Sequence, residues 1–360
     1  MSRPVAATTT AVCRSVEEVE SDWDDLADRV GASPFLWPGW LRAWWGVFGG
    51  GRLRVVVARR ERRLVGVLPV VGRRGVVVSP TNWHSDEYGF LATDGDAVAV
   101  LSDALLAGRP HHVRLDFLHA GTPQLATYRA RAAALGYRTR TRELLRSPYV
   151  PLDGGWGGYE RSLGRKKLGE LRRRGRRLAE AGRVTFEVSD GAPDLDGLLD
   201  EGFRVEAAGW KGAGGTAIAA RPETRRFYAG LAAWARDRGW LRLAFLRLSG
   251  RAIAFDLALE HAGVHYLLKT GYDPTFRVYA PGALLRREML ARAFAEHLAR
   301  YEFLGDSAPW KREWTPHEHE LLCLRSYAPS VLGRLQWSAH ARGAPAYRRA
   351  RERTRRLVRR

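Results

Sequence analysis

The chain has 360 residues, of which 45% are hydrophobic, and this is enough for a globular protein with more than one core. It lacks an apolar run of about 18 residues, which excludes a membrane-spanning helix, and its N-terminus lacks the apolar segment of a secretory signal. Cys13 and Cys323 are the two cysteines, so neither a disulfide framework nor a cysteine metal site is expected. We therefore predict a cytoplasmic protein, and its net charge of +20 predicts anionic partners.

The positive charge is concentrated in two stretches of the chain. Residues 161–183 and 334–360 are dense in arginine. Such blocks bind nucleic acid, an anionic membrane surface or a phosphorylated ligand, or they form a solvated basic face. We expect these stretches to contact a tRNA or an anionic membrane, with the solvated face as the alternative.

Helix and strand patterns alternate through the first half. Residues 1–16 are predicted to be disordered or to form a leading strand, and the apolar face over 15–30 predicts a helix. A second helix begins at Pro38 and ends at the glycines 49–51. The remaining predicted elements are strands over 54–58, 64–71 and 75–78, a helix over 96–107, a strand over 113–118, a helix over 122–135 and a strand over 137–149.

The second half opens with a very basic helix and ends in a basic helical tail. A glycine-rich loop follows the helix that ends near Glu206, and the tail begins at about Pro329. The predicted elements between them are a strand over 184–188, helices over 195–207 and 225–238, strands over 241–248, 252–260 and 264–270, a helix from 281, and strands over 301–304 and 319–327.

The two halves resemble each other in sequence. Residues 53–71 align without a gap on residues 241–259, and residues 113–118 match residues 299–304 in the same order. Two ordered matches favour an internal duplication. We therefore predict an α/β protein with mixed sheets and three parts: domains over 1–155 and 156–328, and a tail over 329–360.

One segment of the second half has the order strand, polar loop and helix. The predicted strand 264–270 is buried, and the helix begins at Pro281 followed by Gly282. Proline suits the first helical position because its φ is already set, and a small neighbour leaves the first-turn amides open. Open amides and the positive end of the helix dipole form an anion site, although the same pattern also describes an ordinary connection.

Several motifs together resemble a known family. They are SPFLWPGWLRAWW, LGRKKLGELRRRGRRLAEAG, EAAGWKGAGGTAI, FYAGLAAWARDRGWLRLAFL, YLLKTGYDPTFRVYAPGALL and YEFLGDSAPWKREWT. The order resembles the GNAT acyltransferase fold in tandem, as in FemAB-like proteins, and is most similar to the CelD/BcsL acetyltransferases. The resemblance spans residues 37–327 and implies two tandem GNAT-like domains.

The resemblance implies acyl transfer to an amine or hydroxyl. The donor it implies is acetyl-CoA or another acyl-CoA, and the acceptor is a sugar or other intermediate of cellulose or exopolysaccharide synthesis. The implied cofactor-binding residues are those around the helix start, Arg277, Pro281, Gly282 and Ala283, although the glycine-rich pyrophosphate loop usual in the family is reduced here to Gly282. A FemAB-like aminoacyltransferase using charged tRNA and a non-catalytic scaffold are the alternatives.

Three residues are candidates for the chemistry of acyl transfer, which requires a base, oxyanion stabilisation and a proton for the leaving group. Lys269 is placed to stabilise an oxyanion or bind a phosphate, or else its side chain reaches solvent. Tyr272 is a candidate proton donor to the thiolate, or an edge-packing residue. Asp306 is a candidate base or acceptor ligand, or an N-cap.

Further polar and aromatic side chains are candidates for substrate binding. Glu206, Trp210 and Lys211 lie on the glycine-rich loop, a position that suits a substrate lid, and Glu206 is a rival base or an exposed residue at a helix end. Trp310 and Lys311 are expected to line the same cleft, with core packing as the alternative for the tryptophan. The trio of His84, Asp86 and Glu87 lacks convincing metal-ligand spacing, so no metal is expected.

Overall fold

A computed structural model describes residues 7–209, 218 and 221–340 of the chain. These residues form two compact units. Unit 1 contains the described residues of 1–32, 50–144 and 321–360, and unit 2 contains those of 33–49 and 145–320. The units therefore differ from the predicted domain boundaries, because residues 33–49 and 145–155 belong to the second unit and residues 321–328 to the first.

Unit 1 is built on a mixed sheet. Its strands are β1 (Thr8–Cys13), β2 (Arg52–Arg60), β3 (Arg63–Arg73), β4 (Val76–Val78), β5 (Leu91–Ala92), β6 (His112–His119), the start of β7 (Arg138–Pro151) and most of β13 (Glu318–Tyr327). Its helices are α1 (Glu20–Arg29), α3 (Gly95–Ala107) and α4 (Pro123–Ala134), and residues 331–340 are also helical. The order β1-β2-β3-β4-β6-β13 includes one parallel pair, β4 with β6.

Unit 2 has a sheet of the same kind with more helices. Its helices are α2 (Pro38–Phe48), α5 (Trp156–Ser162), α6 (Arg165–Glu180), α7 (Leu195–Ala208), α8 (Pro222–Asp237), α9 (Pro281–Ala295) and α10 (Pro309–Arg312). Its strands are the end of β7 with β8 (Val184–Ser189), β9 (Leu241–Leu248), β10 (Arg251–His261), β11 (Val264–Tyr272) and β12 (Arg300–Glu302). The order β7-β12-β11-β10-β9-β8 again includes one parallel pair, β11 with β12.

The sheet of unit 2 is covered on both faces. Apolar side chains of α2, α7 and α8, such as Phe203 and Phe227, pack on one face against Leu257. On the other face, α5, α6 and α9 supply side chains such as Leu285 and Met289. Strands buried on both faces explain the nearly continuous apolar sequence of β10.

The duplication predicted from the sequence is present in the backbone. The β2–β3 hairpin turns at Glu61 and Arg62, with φ of 50° and 69°, and the β9–β10 hairpin turns at Ser249 and Gly250, with φ of 49° and 84°. Two successive positive φ values define the type I′ turn that matches strand twist. The gapless alignment of 53–71 on 241–259 sets Glu61 opposite Ser249 and Arg62 opposite Gly250, so the two turns occupy equivalent positions.

The second predicted match is out of register by two residues. The parallel ladders pair Val76 with His112 and Val264 with Arg300. Both members of the second pair lie 188 positions after those of the first, since 264 − 76 and 300 − 112 are equal, whereas the match of 113–118 on 299–304 uses 186. A slip of two residues keeps every side chain on the same face of the sheet, so the sequences match in either register.

Several element boundaries also differ from the predictions. The first helix begins at Glu20 rather than near 15. Strand β12 ends at Glu302, and Leu304, predicted to end that strand, has a positive φ of 53°. The predicted polar loop before α9 contains a 3-10 helix, Pro274–Tyr279.

Candidate active site

The parallel strands of unit 2 separate at their C-terminal ends. β11 and β12 pair through three residues, from Val264 with Arg300 to Tyr266 with Glu302. β11 continues to Tyr272, whereas β12 ends at Glu302. The second half of β11 therefore borders an opening in the sheet, and ligands of α/β sheets bind beyond the carboxyl ends of parallel strands.

Lys269 lies on the side of β11 that faces α7 and α8. A bulge in β11 leaves Leu268 unpaired and sets Lys269 opposite Leu257 of β10, whose side chain belongs to the core under those helices. The Lys269 ammonium is 5.0 Å from the ring centroid of Tyr228, a buried residue of α8. A half-buried ammonium over an aromatic face is held by a cation–π interaction, so Lys269 has a defined position beside the opening.

Glu206 is buried against the same stretch of β11. Its side chain is 1% exposed, and its Oε2 accepts a hydrogen bond of 2.9 Å from the amide of Ile218. A Cβ at Gly271 would lie 2.5 Å from the Glu206 Cα, so only glycine permits this approach of α7. Residues 269 and 271 share a face of the strand. The alternative of an exposed glutamate at the helix end is therefore wrong, and Glu206 and Lys269 lie on one face of β11.

Tyr272 lies at the N-terminus of α9. Its ring is 37% exposed, and a Cβ at Gly282 would lie 3.3 Å from the Tyr272 Cδ1. The phenol thus borders the helix start at which the sequence predicted an anion site.

The N-terminus of α9 carries no side-chain cap. Its N-cap is Ala280, which has a left-handed backbone, and the first turn contains no acidic residue. Pro281 is buried, and the amides of Ala283 and Leu284 donate to the Ala280 carbonyl at 3.0 and 3.1 Å. The amide of Ala283 therefore bonds within the helix rather than standing open, which makes the anion site narrower than expected.

Basic side chains surround this helix start. Arg277 is exposed on the preceding 3-10 helix, and α6 packs against that 3-10 helix and against α9. Helix α6 has eight basic and two acidic residues in RKKLGELRRRGRRLAE. One face of α6 is buried through Leu168, Leu171 and Leu178, so most of its arginines lie on the solvent-facing side, next to α9.

The other predicted residues follow β12. Asp306 is exposed, and its carboxylate does not cap α10, whose N-cap is Ala308. The Lys311 ammonium is buried and donates to the carbonyls of Leu304 and Asp306, so it holds this turn together. Trp310 is 37% exposed and lies edge-on to Phe303 at 5.7 Å. Trp210 and Lys211, predicted to contact substrate, lie outside the described residues.

A buried ion pair under α9 was not anticipated. Arg286 is 1% exposed and Asp256 is 0% exposed; Arg286 Nη1 is 2.7 Å from the Asp256 Oδ2, and Nη2 donates to its Oδ1 at 2.8 Å. Nη2 also donates to Thr270 at 3.2 Å, and Nη1 donates to the Tyr301 hydroxyl. Burial alone would lower the pKa of Arg286, but the Asp256 charge and the Tyr301 hydroxyl raise it, so the guanidinium stays charged.

The polar network continues along the sheet. The buried His265 stacks on Tyr301 at 4.4 Å, and its Nδ1 is 2.9 Å from Glu260. Burial lowers the pKa of His265 in spite of that carboxylate. Burial would raise the pKa of Glu260, but bonds from His265 and Arg292 lower it to about 2. A single charge within an apolar stripe is the signal that could have revealed Arg286 and Asp256.

Among the described residues, no three His, Cys, Asp or Glu side chains lie close enough to hold a metal ion. Within the same part of the chain, no helix is long and apolar enough to cross a membrane.

The comparisons with known proteins agree with this geometry. Residues 165–312, from α6 to α10, match the family described as an acetyltransferase (GNAT) domain. The matched residues all belong to unit 2. No curated protein matches the chain.

Three solved structures are similar to most of the chain. FemX has a TM-score of 0.59 at 12% identity, over 89% of this chain and 97% of that one. The C-terminal domain (DUF2156) of a protein assigned as a lysylphosphatidylglycerol synthetase from Agrobacterium fabrum has 0.56 at 16%, over 90% and 96%. A conserved protein of unknown function from Bacteroides thetaiotaomicron has 0.53 at 12%, over 85% and 97%. At these identities the likeness shows a shared fold alone.

Proposed function

We propose that unit 2 transfers an acyl group from acyl-CoA to an amine or hydroxyl acceptor. The observation that carries this proposal is the uncapped N-terminus of α9, beside the opening between β11 and β12. Its counterpart in unit 1, the N-terminus of α3, is occupied by the Asp94 carboxylate, which accepts from the Ala97 amide at 2.9 Å. An anion is repelled there and attracted at α9, where the first turn holds no acid.

The basic surface around α9 supports the same assignment. A CoA donor carries a pyrophosphate, and Arg277 and the α6 arginines lie around the helix start. Arginine binds phosphate through paired N–H donors. We assign Arg277 and Gly282 to the phosphates, with Pro281 setting the direction of the helix. Ala283, whose amide bonds to the Ala280 carbonyl, keeps only the role of a small residue beside them.

The chemistry then falls to side chains on opposite faces of β11. Lys269 lies on the face of α7 and α8, Tyr272 lies on the face of α9, and in this proposal both reach a thioester held in the opening between β11 and β12. The acceptor attacks the thioester carbonyl carbon, and the Lys269 ammonium stabilises the oxyanion that forms. When the carbon–sulfur bond breaks, Tyr272 gives its phenolic proton to the departing thiolate. Asp306 removes the acceptor proton in our proposal, and the buried Glu206 on the same face as Lys269 is the rival base.

The finer assignment rests on the resemblance to the CelD/BcsL acetyltransferases. It makes the donor acetyl-CoA and the acceptor a sugar-bearing intermediate of polysaccharide synthesis. Trp310 and the loop bearing Trp210 and Lys211 are proposed to contact that acceptor, while the buried Lys311 holds the turn that contains Asp306.

The decisive experiment measures acetyl-CoA binding and turnover in the full chain. Ligand at a hundred times its dissociation constant should stabilise the protein by about 2.7 kcal/mol. Lys269→Ala and Asp306→Ala should each abolish turnover and leave the thermal midpoint within a few degrees of wild type. Wild-type rates in both variants would discard this site, and no stabilisation by any acyl-CoA would discard the donor.

A second candidate is aminoacyl transfer from charged tRNA. The likeness to FemX and to the lysylphosphatidylglycerol synthetase domain favours it, as do the exposed Arg176 and Arg177 of α6. RNA binding would then weaken steeply with salt, because each neutralised phosphate releases a counterion. Replacing both arginines by glutamine should lower the slope of log affinity for RNA against log salt concentration by roughly 1–2. In an enzyme that uses acyl-CoA, the same change should have little effect on turnover.

A further inference from the structure

Unit 1 contains a cavity away from the proposed active site. It has a volume of about 470 Å³ and lies where β2 begins, β3 turns into β4 and α3 ends. In unit 2 the opening lies at the other end of the corresponding strands, beyond the last residues of β11. The cavity is therefore not a degenerate copy of that opening.

The cavity is lined by four arginines and by small or apolar residues. The arginines are Arg52, Arg54, Arg73 and Arg74, and no described acidic residue lines it. Arg73 donates to the Gly50 carbonyl at 3.2 and 2.8 Å, which fixes its guanidinium. The other three form no ion pair with any residue that the structure describes, and Arg54 is half-buried.

The equivalent place in unit 2 shows what the cavity lacks. In unit 1, the strand register pairs residue 52 with residue 72. The residues 188 positions later, 240 and 260, are also paired, because the Glu260 amide donates to the Trp240 carbonyl at 2.8 Å. Arg54 therefore corresponds to Arg242, and Gly72 to Glu260. In unit 2, Arg242 Nε is 2.6 Å from the Glu260 Oε2. Unit 1 keeps the arginine and has glycine in place of the carboxylate.

Gly72 leaves room for an external anion beside Arg54. A Cβ at Gly72 would lie 3.8 Å from both the Arg54 Cδ and the Arg52 carbonyl, so a side chain there would enter the cavity without a clash. Gly108 lies at the end of α3, and a Cβ built on it would be 4.0 Å from the Arg54 Nη1. The partial charge of that helix end offsets only part of one guanidinium, and the other charges stay uncompensated.

We propose that this cavity binds a small phosphate-bearing anion of the size of a nucleoside diphosphate. Arginine guanidinium groups match phosphate oxygens in pairs. The volume lies within the range of about 300–1,000 Å³ typical of small-molecule sites. The ligand's phosphate takes the position that the Glu260 carboxylate holds in unit 2.

The test is isothermal titration of the full chain with inorganic pyrophosphate and with ADP. Pyrophosphate also fits the proposed donor site, so the titrations are repeated in Ala280→Asp, which places a carboxylate at α9. The unit 1 site should persist in that variant with a dissociation constant below about 1 mM at low salt. Tighter binding of ADP than of pyrophosphate would identify a nucleotide, and equal binding a free phosphate.

Two variants address the cavity itself. In the Ala280→Asp background, Gly72→Glu supplies the missing carboxylate and should weaken binding at least tenfold while keeping or raising the thermal midpoint. Arg54→Gln should weaken binding by a similar factor. The matched control is Arg62→Gln with Arg63→Gln, at the exposed turn that joins the other ends of β2 and β3, and it should change binding less than twofold.

The outcomes separate a built site from general attraction to a basic protein. Loss of binding in Gly72→Glu and Arg54→Gln with an unchanged control supports the site. Equal weakening in the control shows nonspecific attraction and overturns it. Wild-type binding in Gly72→Glu, or no binding by the wild-type chain, overturns it as well, whatever the result with acetyl-CoA.

Discussion

The two units share a backbone plan but differ in what they bury. In unit 2, Asp256, Glu260 and His265 form a polar network beneath α9. The 188-residue offset between the units places Leu68, Gly72 and Val77 at the same positions of unit 1. Leu68 and Val77 are buried in an apolar core. The same backbone plan therefore forms in unit 1 without the buried ion pairs of unit 2.

This difference bears on the site proposed for unit 2. Buried charges cost desolvation energy, and apolar replacements of similar size are often neutral or stabilising. We propose that this network, which the fold of unit 1 does without, supports the proposed site of unit 2. Unit 1 has instead an apolar core, a carboxylate-capped helix and an arginine-lined cavity.

The largest expected effect comes from breaking the buried ion pair. Arg286→Met leaves Asp256 charged and unpaired, so the free energy of unfolding should fall by about 3–5 kcal/mol. Adding Asp256→Leu, the residue found in unit 1, should recover most of this loss. Urea denaturation measures both, with Arg287→Gln, a partly exposed pair with Glu160, as the control. A loss below 1 kcal/mol in the single variant would contradict the role of the pair.

A smaller effect should separate the units by pH. The register places His112 of unit 1 where unit 2 has Arg300. Burial and the nearby Arg325 lower the pKa of His112 to about 4. The unfolded state therefore takes up the proton first, so stability should be constant above about pH 6.5 and fall by about 2 kcal/mol towards pH 5.

His112→Phe should remove that share of the pH dependence. Phenylalanine preserves the stacking on Tyr327, whose ring lies 4.8 Å away. Denaturation at pH 7.5 and pH 5 measures the difference between the two proteins. An unchanged pH dependence in the variant would show that His112 is not the titrating group.

The helix starts allow a direct exchange between the units. Ala280→Asp gives α9 the acidic cap of α3 and should raise the dissociation constant for acetyl-CoA about tenfold, or about 1.4 kcal/mol. Ala280→Asn has the same shape without the charge and tolerates the left-handed backbone, so it should bind nearly as wild type does. Equal affinities in the two variants would remove the helix start from the donor site.

The reverse change should have the smallest effect. Asp94→Ala uncaps α3 and should cost about 1 kcal/mol of stability. The Arg60 guanidinium lowers the pKa of Asp94 to about 2, so the loss should be the same from pH 8 to pH 5. Acetyl-CoA binding should not change, and a gain in binding would show that unit 1 can also hold the donor.

Local patterns in the sequence predicted much of this molecule. Apolar runs of strand length, with glycine or charged turns between them, placed both hairpins and their gapless correspondence. Pro281 predicted the N-terminus of α9, because the effect of proline on the backbone is local. The GNAT-like fold was implied by the resemblance of the ordered motifs to that family.

Only the tertiary structure decided which distant segments belong together. The pairing of β13 with β6, and of the end of β7 with β12, divides the chain across its predicted domain boundary. The partnership of Arg286 with Asp256 and the loss of a partner for Arg54 also depend on neighbouring strands and a packed helix. A side chain's charge is read directly from the sequence, but its counter-ion is set by packing between residues far apart in the chain.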